Sequence, residues 1–405
     1  MTNSKQKCII YIGDFDLRNQ NVQAHLVRNN ATILNRLGYK VAFIGVNREA
    51  SINEIDSLPK LNVGEENSYL ELSNTLTIKG LLQYRMIVKT IIAFLDVISQ
   101  STKVSAIISY QAPTYAPVLK KIVSWCRKHG AKYIVNCADI TIFNSQPLLR
   151  RLVMTLNWKY LHRVNKKNAD GLIAVSSFIE RFYHKDGMPS IIIPPLFNNT
   201  VDTSYQLNNK ITFVYAGTPF VMKRKVNVDG MKDRLDKIVE YCIHLSNEKI
   251  EYRLLIIGVT KELYLDCIPQ HRDALIENND IIFCGRRSHN DTLIAVKNAD
   301  YMLNYRDKNI MNEAGLSTKL VESVSLGTPV VMNSIGDSFR YLREGITGFE
   351  LTGDFDRDVV LLQSLCNKTK DERMVLKQEC AGDKTFAIER YETKFGEFLN
   401  EVLSN

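Results

Sequence analysis

Residues 312–337 read N-E-A-G-L-S-T-K-L-V-E-S-V-S-L-G-T-P-V-V-M-N-S-I-G-D, and the fold is decided here. A glycine-bearing loop leads into a short helix predicted over 317–326, a stop at Gly327 and a buried strand over 330–332. Ser317 or Thr318 supplies a capping hydroxyl, and Gly327 the left-handed residue that helix ends favour. At about 100° per residue, Leu320, Val321 and Val324 share one face while Lys319 and Glu322 share the opposite one. The helix is therefore expected to pack on a sheet and turn a cation and a carboxylate outward. Its N-terminus, with unpaired amides and the positive end of the helix dipole, attracts phosphate. Glu322, one turn in, is placed to accept hydrogen bonds from vicinal hydroxyls such as a ribose offers. A Lys–Glu pair three residues apart is common on plain amphipathic helices, so the pair alone decides nothing.

The whole string does more. G-L-S-T-K-L-V-E-S-V-S-L-G-T-P-V-V resembles the donor-nucleotide motif of glycosyltransferase family 4, retaining enzymes of the GT-B fold, in the branch reading G-x-S/P-T-K-x-x-E-x-x-x-x-G-x-P-V-V. The resemblance implies an α/β chain of two Rossmann-like doubly wound domains facing a cleft. It implies diphosphate contacts at Gly315, Ser317, Thr318 and Lys319, and ribose contacts at Glu322. The family's first Glu, which touches the donor sugar, falls on Ala314, with Glu313 one residue away.

A chain of 405 residues is long enough for two domains, each with its own core. Hydrophobic content of 45% and charged content of 24% are those of an ordinary soluble globular protein. The eight cysteines show no C-x-x-C and no metal spacing; with no leader at 1–7, they read as reduced thiols of a cytoplasmic protein. The most apolar helix, 86–98, is broken by Lys89 and Asp96 and is shorter than the roughly 20 residues a span needs. The net charge of +8 is uneven: residues 1–196 hold 25 Lys/Arg against 13 Asp/Glu, and residues 197–405 hold 27 against 31. Between Asp96 and Asp170 twelve basic residues accompany a single acid, Asp139. That suits an anionic partner, such as the inner face of the plasma membrane or a lipid diphosphate. No recognition motif supports nucleic acid.

Along the chain, buried strands are predicted at 7–12, 41–45, 104–110, 132–137, 169–178 and 191–197, with a basic helix at 116–128. Strand, glycine loop, helix, strand at the start is the opening of a doubly wound sheet, although G-x-G-x-x-G is missing. The resemblance places Gly13, in that first loop, near the donor diphosphate. Asp139 sits at a strand tip, where the branch has D-x-x-E-W, with Ile142 and Phe143 in place of Glu and Trp. It is a candidate to orient the acceptor or to balance charge at the reacting sugar, against a loop-cap reading. Asp14-Phe-Asp16 and Asp354-Phe-Asp356 have the D-x-D form of metal-binding transferases, but nothing else of that fold follows either; both read as solvated loops and no metal is expected. Residues 146–167 form a helix with six Lys/Arg and no acid, and a stripe of Leu149, Leu152, Val153, Leu156 and Tyr160. The stripe fits either a membrane headgroup boundary or an ordinary core.

Pro194-Pro195 and the polar run after it mark a linker at 198–210, between an acceptor-binding domain, 1–197, and a nucleotide-sugar domain, 211–382. The second domain opens with a strand at 212–216, then Gly217-Thr218; the resemblance puts the diphosphate there, Thr218 standing where the family has Arg. The family's lysine on the diphosphate is Lys223 by counting from Gly217, or Lys232 by counting back from the next helix. Strands follow at 252–258, 280–285 and 299–304, and Arg306, just before the Gly315 loop, is a further diphosphate candidate. His289 reads as structural. A helix at 383–403 closes the chain, and the resemblance returns it to the first domain. The resemblance implies transfer of a sugar from a nucleoside diphosphate to a lipid-linked or saccharide acceptor, with retention, in bacterial capsule, O-antigen or exopolysaccharide synthesis. It implies no cofactor beyond the donor. Lys232, Lys223, Asp139 and Glu313 are the catalytic candidates. A non-catalytic GT-B-like partner subunit, motivated by Ala314 and Thr218, and a sugar-nucleotide epimerase of the same fold remain alternatives.

Overall fold

The computed structural model describes residues 5–18, 21–47, 68–73, 76–143, 147–197, 205, 207–219 and 231–405. The chain divides into two units, Met1–Leu196 with Ile388–Asn405, and Phe197–Ala387. Among the described residues no helix is long and apolar enough to cross a membrane.

The first unit is built on β1 (Lys7–Gly13), β2 (Lys40–Asn47), β3 (Ser68–Ser73), β4 (Lys103–Tyr110), β5 (Lys132–Cys137), β6 (Gly171–Ala174) and β7 (Ser190–Ile192). All pair in parallel, in the order β3-β2-β1-β4-β5-β6-β7. A parallel sheet covered on both faces needs apolar residues at nearly every position, which is why β1 runs C-I-I-Y-I-G without an exposed residue after Lys7. The Glu389–Ser404 helix belongs to this unit, with Phe395, Leu399 and Val402 in one cluster with Ile9, Tyr11 and Phe43. It lies so close to β6 that a Cβ on Gly171 would stand 2.6 Å from Val402 Cγ2.

The second unit repeats the scheme with β8 (Thr212–Ala216), β9 (Arg253–Ile257), β10 (Ile281–Gly285), β11 (Tyr301–Asn304), β12 (Val330–Met332) and β13 (Gly348–Glu350), ordered β10-β9-β8-β11-β12-β13 and all parallel. In each sheet the strand order reverses once, between β1 and β4 and between β8 and β11. Ligands of doubly wound sheets bind beyond the carboxyl ends of the strands at such a point.

Some sequence expectations change. The strand predicted over 169–178 ends at Ala174, because the Ser176 hydroxyl accepts from the Ile179 amide and starts a helix, Ser177–Tyr183. β3 and β13, both outside the predicted strands, lie on the edges of their sheets. The helix predicted over 383–403 begins later, as Glu389–Ser404, and a separate helix, Lys370–Gly382, precedes it in the second unit. The D-x-D motifs are not both solvated. Asp16 is buried with its carboxylate on Arg18, and Asp354 caps the Phe355–Cys366 helix by accepting from the Arg357 amide. The linker predicted over 198–210 lies largely outside the described residues.

Candidate functional site

At the β8/β11 switch point the second unit gathers charge around Asp233. Arg306 Nε lies 2.8 Å from Asp233 Oδ1, Lys319 Nζ 2.7 Å from Oδ2, and the Tyr215 hydroxyl donates to Oδ2 at 3.1 Å. Burial alone would push this carboxyl up; Lys319 and Arg306 override it and hold Asp233 well below the usual carboxylate range. Two cations on one carboxylate leave the cluster with a net positive charge at the mouth of the switch point. Gly217, at the end of β8, makes the arrangement possible: a Cβ there would stand 2.8 Å from both Cε and Nζ of Lys319. Gly258 follows β9 at φ +104, and a side chain on it would strike the Gly217 carbonyl. Two glycines thus let the backbone close around one ammonium.

The Thr318–Ser325 helix delivers Lys319. Leu320, Val321 and Val324 are buried, and Gly327 ends the helix at φ +75, as read from the sequence. The cap differs. Ser317 Oγ accepts from Asn304 Nδ2 at 2.9 Å, and no side chain caps the first turn. Lys319 and Glu322 are also recessed rather than turned outward: Lys319 is 13% exposed and ion-paired. The Glu322 side chain has no hydrogen bond or ion pair among the described residues; burial raises its carboxyl, with Lys319 opposing. Partly buried and free to accept, the carboxylate is placed to take hydrogen bonds from a ligand's hydroxyls.

The other candidates fall around this core. Arg306, read as a diphosphate contact, is only 6% exposed, its guanidinium on Asp233 and its backbone held by Asn333 through bonds of 2.9 and 2.7 Å. It orders Asp233 rather than reaching outward. Thr218 is exposed, its hydroxyl donating to the Gly258 carbonyl at 3.3 Å. Lys232 is exposed and adjoins Asp233; its carbonyl accepts from Asn312 Nδ2 at 3.2 Å. Lys223 lies outside the described residues. Gly315 closes the Ile310–Ala314 helix, its amide on the Met311 carbonyl at 3.2 Å. Ala314 is fully buried, and Glu313, partly exposed, is 3.8 Å from Lys308 Nζ. Asp233 itself escaped the sequence reading; the signal lay in K-D-R at 232–234, a lone acid between cations ahead of a helix.

In the first unit Gly13 and Asp139 stand at the carboxyl tips of β1 and β5, with β4 between them. Gly13 packs on the Tyr110 carbonyl too closely for any side chain. Gln111, held at φ +59, turns its amide toward Asp139 Oδ1 at 3.5 Å. A non-glycine residue in that region is costly and accumulates where function over-determines the backbone. Among the described residues no three His, Cys, Asp or Glu side chains form a metal-holding group.

No family model matches the chain, and no curated protein matches it. Solved structures do. HepE of Anabaena in complex with UDP superposes with a TM-score of 0.64 at 11% identity, over 97% of this chain and 99% of that one. The lipopolysaccharide outer core galactosyltransferase WaaB matches at 0.61 and 15%, over 98% and 99%. Sucrose-phosphate synthase of Thermosynechococcus elongatus matches at 0.63 and 14%, over 99% and 100%. The fold is GT-B. At these identities the likeness of the GT-B chain to its neighbours is one of architecture.

Proposed function

We propose that this GT-B protein is a glycosyltransferase that moves a sugar from a nucleoside diphosphate to a lipid-linked or saccharide acceptor. The observation that carries the reading is the partly buried Glu322 carboxylate, with no hydrogen bond or ion pair among the described residues, one turn inside an uncapped helix start that also bears Lys319. Vicinal ribose hydroxyls satisfy the first and a diphosphate the second. That HepE, of the same fold, is solved with UDP and with UDP-glucose supports this choice of ligand.

In the proposed reaction the acceptor hydroxyl attacks the anomeric carbon from the face the diphosphate leaves, so configuration is retained. The bond from that carbon to the diphosphate oxygen breaks, the nucleoside diphosphate keeps the electron pair, and a diphosphate oxygen takes the acceptor proton. The helix amides at 317–319, Lys319, and Lys232 or Lys223 stabilise the departing charge, making the step metal-independent. Asp139, with Gly13 nearby in sheet order, orients the acceptor side, and Glu313 faces the donor sugar. We assign the product to bacterial capsule, O-antigen or exopolysaccharide and the reaction to the cytoplasm; the eight free thiols agree with a reducing compartment.

Titration calorimetry with UDP and GDP tests the site. Glu322→Ala is expected to lose about 1.5–3 kcal/mol, tenfold or more in affinity; unchanged affinity for both nucleotides refutes the ribose role. A second reading, a nucleotide-binding partner subunit without catalysis, is favoured by the buried Ala314 and the exposed Thr218. Donor hydrolysis by the purified protein, lost in the Lys223→Ala/Lys232→Ala double variant, decides against it.

A further inference from the structure

The stripe on the Leu148–Asn168 helix is not core. Leu148 is 84% exposed and Leu149 77%, and Leu152 and Leu156 are more than half exposed. At about 100° per residue these four share an arc of roughly 100°, and the same arc continues into Lys159 and Arg163, both exposed. Burial on this helix begins only at Leu161. A second apolar edge stands beside it: Ile78 and Leu82, on the Ile78–Leu82 helix, are each 81% exposed. One loop ties the two together. The Tyr115 hydroxyl donates to the Thr77 carbonyl at 3.1 Å, and the next amide, of Ala116, donates to Asn157 Oδ1 at 2.8 Å. Monomeric proteins seldom leave so many large apolar side chains together in water.

We infer that this double edge docks the first unit on an anionic phospholipid surface. Charge selects the occupant. Between Leu76 and Asn168 there are only two acids, Asp96 and Asp139. Asp96 is engaged by the Trp125 indole at 2.7 Å and Asp139 lies toward Gln111. Lys79, Arg150, Arg151, Lys159 and Arg163 have no ion pair among the described residues. Leucines reaching into the acyl boundary with cations level with the headgroups is the arrangement an anionic bilayer stabilises. A second copy of the chain pairing on the same edge would bring these like charges face to face. The inference stands apart from the transfer reaction, since vesicles bind or fail to bind with no donor present.

Co-sedimentation of the full chain with phosphatidylcholine vesicles, with and without phosphatidylglycerol, tests it. Binding at least about tenfold tighter on the anionic vesicles, weakened by salt, is expected. The Leu148→Ser/Leu152→Ser and Arg150→Gln/Arg151→Gln pairs should each weaken it by about tenfold with melting unchanged, because all four side chains are exposed. The indole introduced by Leu152→Trp should be quenched by brominated phospholipid beyond the wild-type signal. Equal binding to both vesicles, no binding, or no added quenching in the Leu152→Trp variant overturns the inference. So does a dimer that dissociates in the leucine variant while vesicles go unbound, which gives the edge to a second copy.

Discussion

Asp233 and Glu322 are two carboxylates at one site whose surroundings drive them in opposite directions. Asp233 carries both cations, and removing its charge leaves Lys319 and Arg306 buried together without compensation. Asp233→Asn should therefore destabilise the second unit by about 3–5 kcal/mol in urea denaturation, and adding Lys319→Met should recover part of the loss. A carboxyl depressed by folding contributes stability that is present above its unfolded value and lost as pH falls through the folded one. Asp233 therefore keeps the cluster intact until pH drops below the ordinary carboxylate range. Glu322 has the opposite sign: its folded value is raised, so ionising it at neutral pH costs stability. Glu322→Gln is expected to melt higher than wild type at pH 7 and to bind nucleoside diphosphate more weakly. A fall in both would mean the carboxylate has a structural partner after all.

At the scale of elements, the 312–337 stretch was legible because its information is local. The apolar period and a left-handed glycine marked a helix found at Thr318–Ser325, and an apolar run after Thr-Pro a strand found at Val330–Met332, while the expected hydroxyl cap is not made. The Lys319–Asp233 pair, 86 positions apart, has no local signature, so the helix looked as though its polar face met water. The leucines of the Leu148–Asn168 helix failed in the converse way: periodicity reports that a face is apolar, not what covers it. Lys377, on the Lys370–Gly382 helix, shows a third limit, an amphipathic pattern with a cation inside. It is buried, donating to the Ala299 carbonyl at 2.6 Å and Thr328 Oγ1 at 2.8 Å. Burial pushes its ammonium down to about 7, with Asp300 and Cys380 opposing and Lys297 assisting. A lysine depressed by folding costs stability at low pH, so this group makes stability rise between about pH 7 and 10.5. The slope is at most about 1.4 kcal/mol per pH unit, and Lys377→Met should flatten it in denaturation at pH 6.5 and 9.

For the molecule as a whole, all but the edge strands β3 and β13 could be read from short apolar runs ending in glycine or a polar tip, since a buried parallel strand advertises itself in composition. Strand order could not, because pairing joins residues far apart in the chain: β1 lies beside β4, not only beside β2. The first unit is also discontinuous, closed by Ile388–Asn405 after the second unit has intervened. Deleting 388–405 removes Phe395, Leu399 and Val402 from the core shared with Ile9 and Tyr11. Limited proteolysis of that deletion should degrade 1–196 first; equal resistance in the deletion and the full chain would show the helix to be dispensable. The interruption has a consequence during synthesis. On the ribosome the amino-terminal half emerges first yet lacks the piece that completes it, so it waits, incomplete, while everything up to residue 387 is translated. The nascent order of maturation is therefore the reverse of the order of emergence, and the early half is the one a chaperone has to shelter.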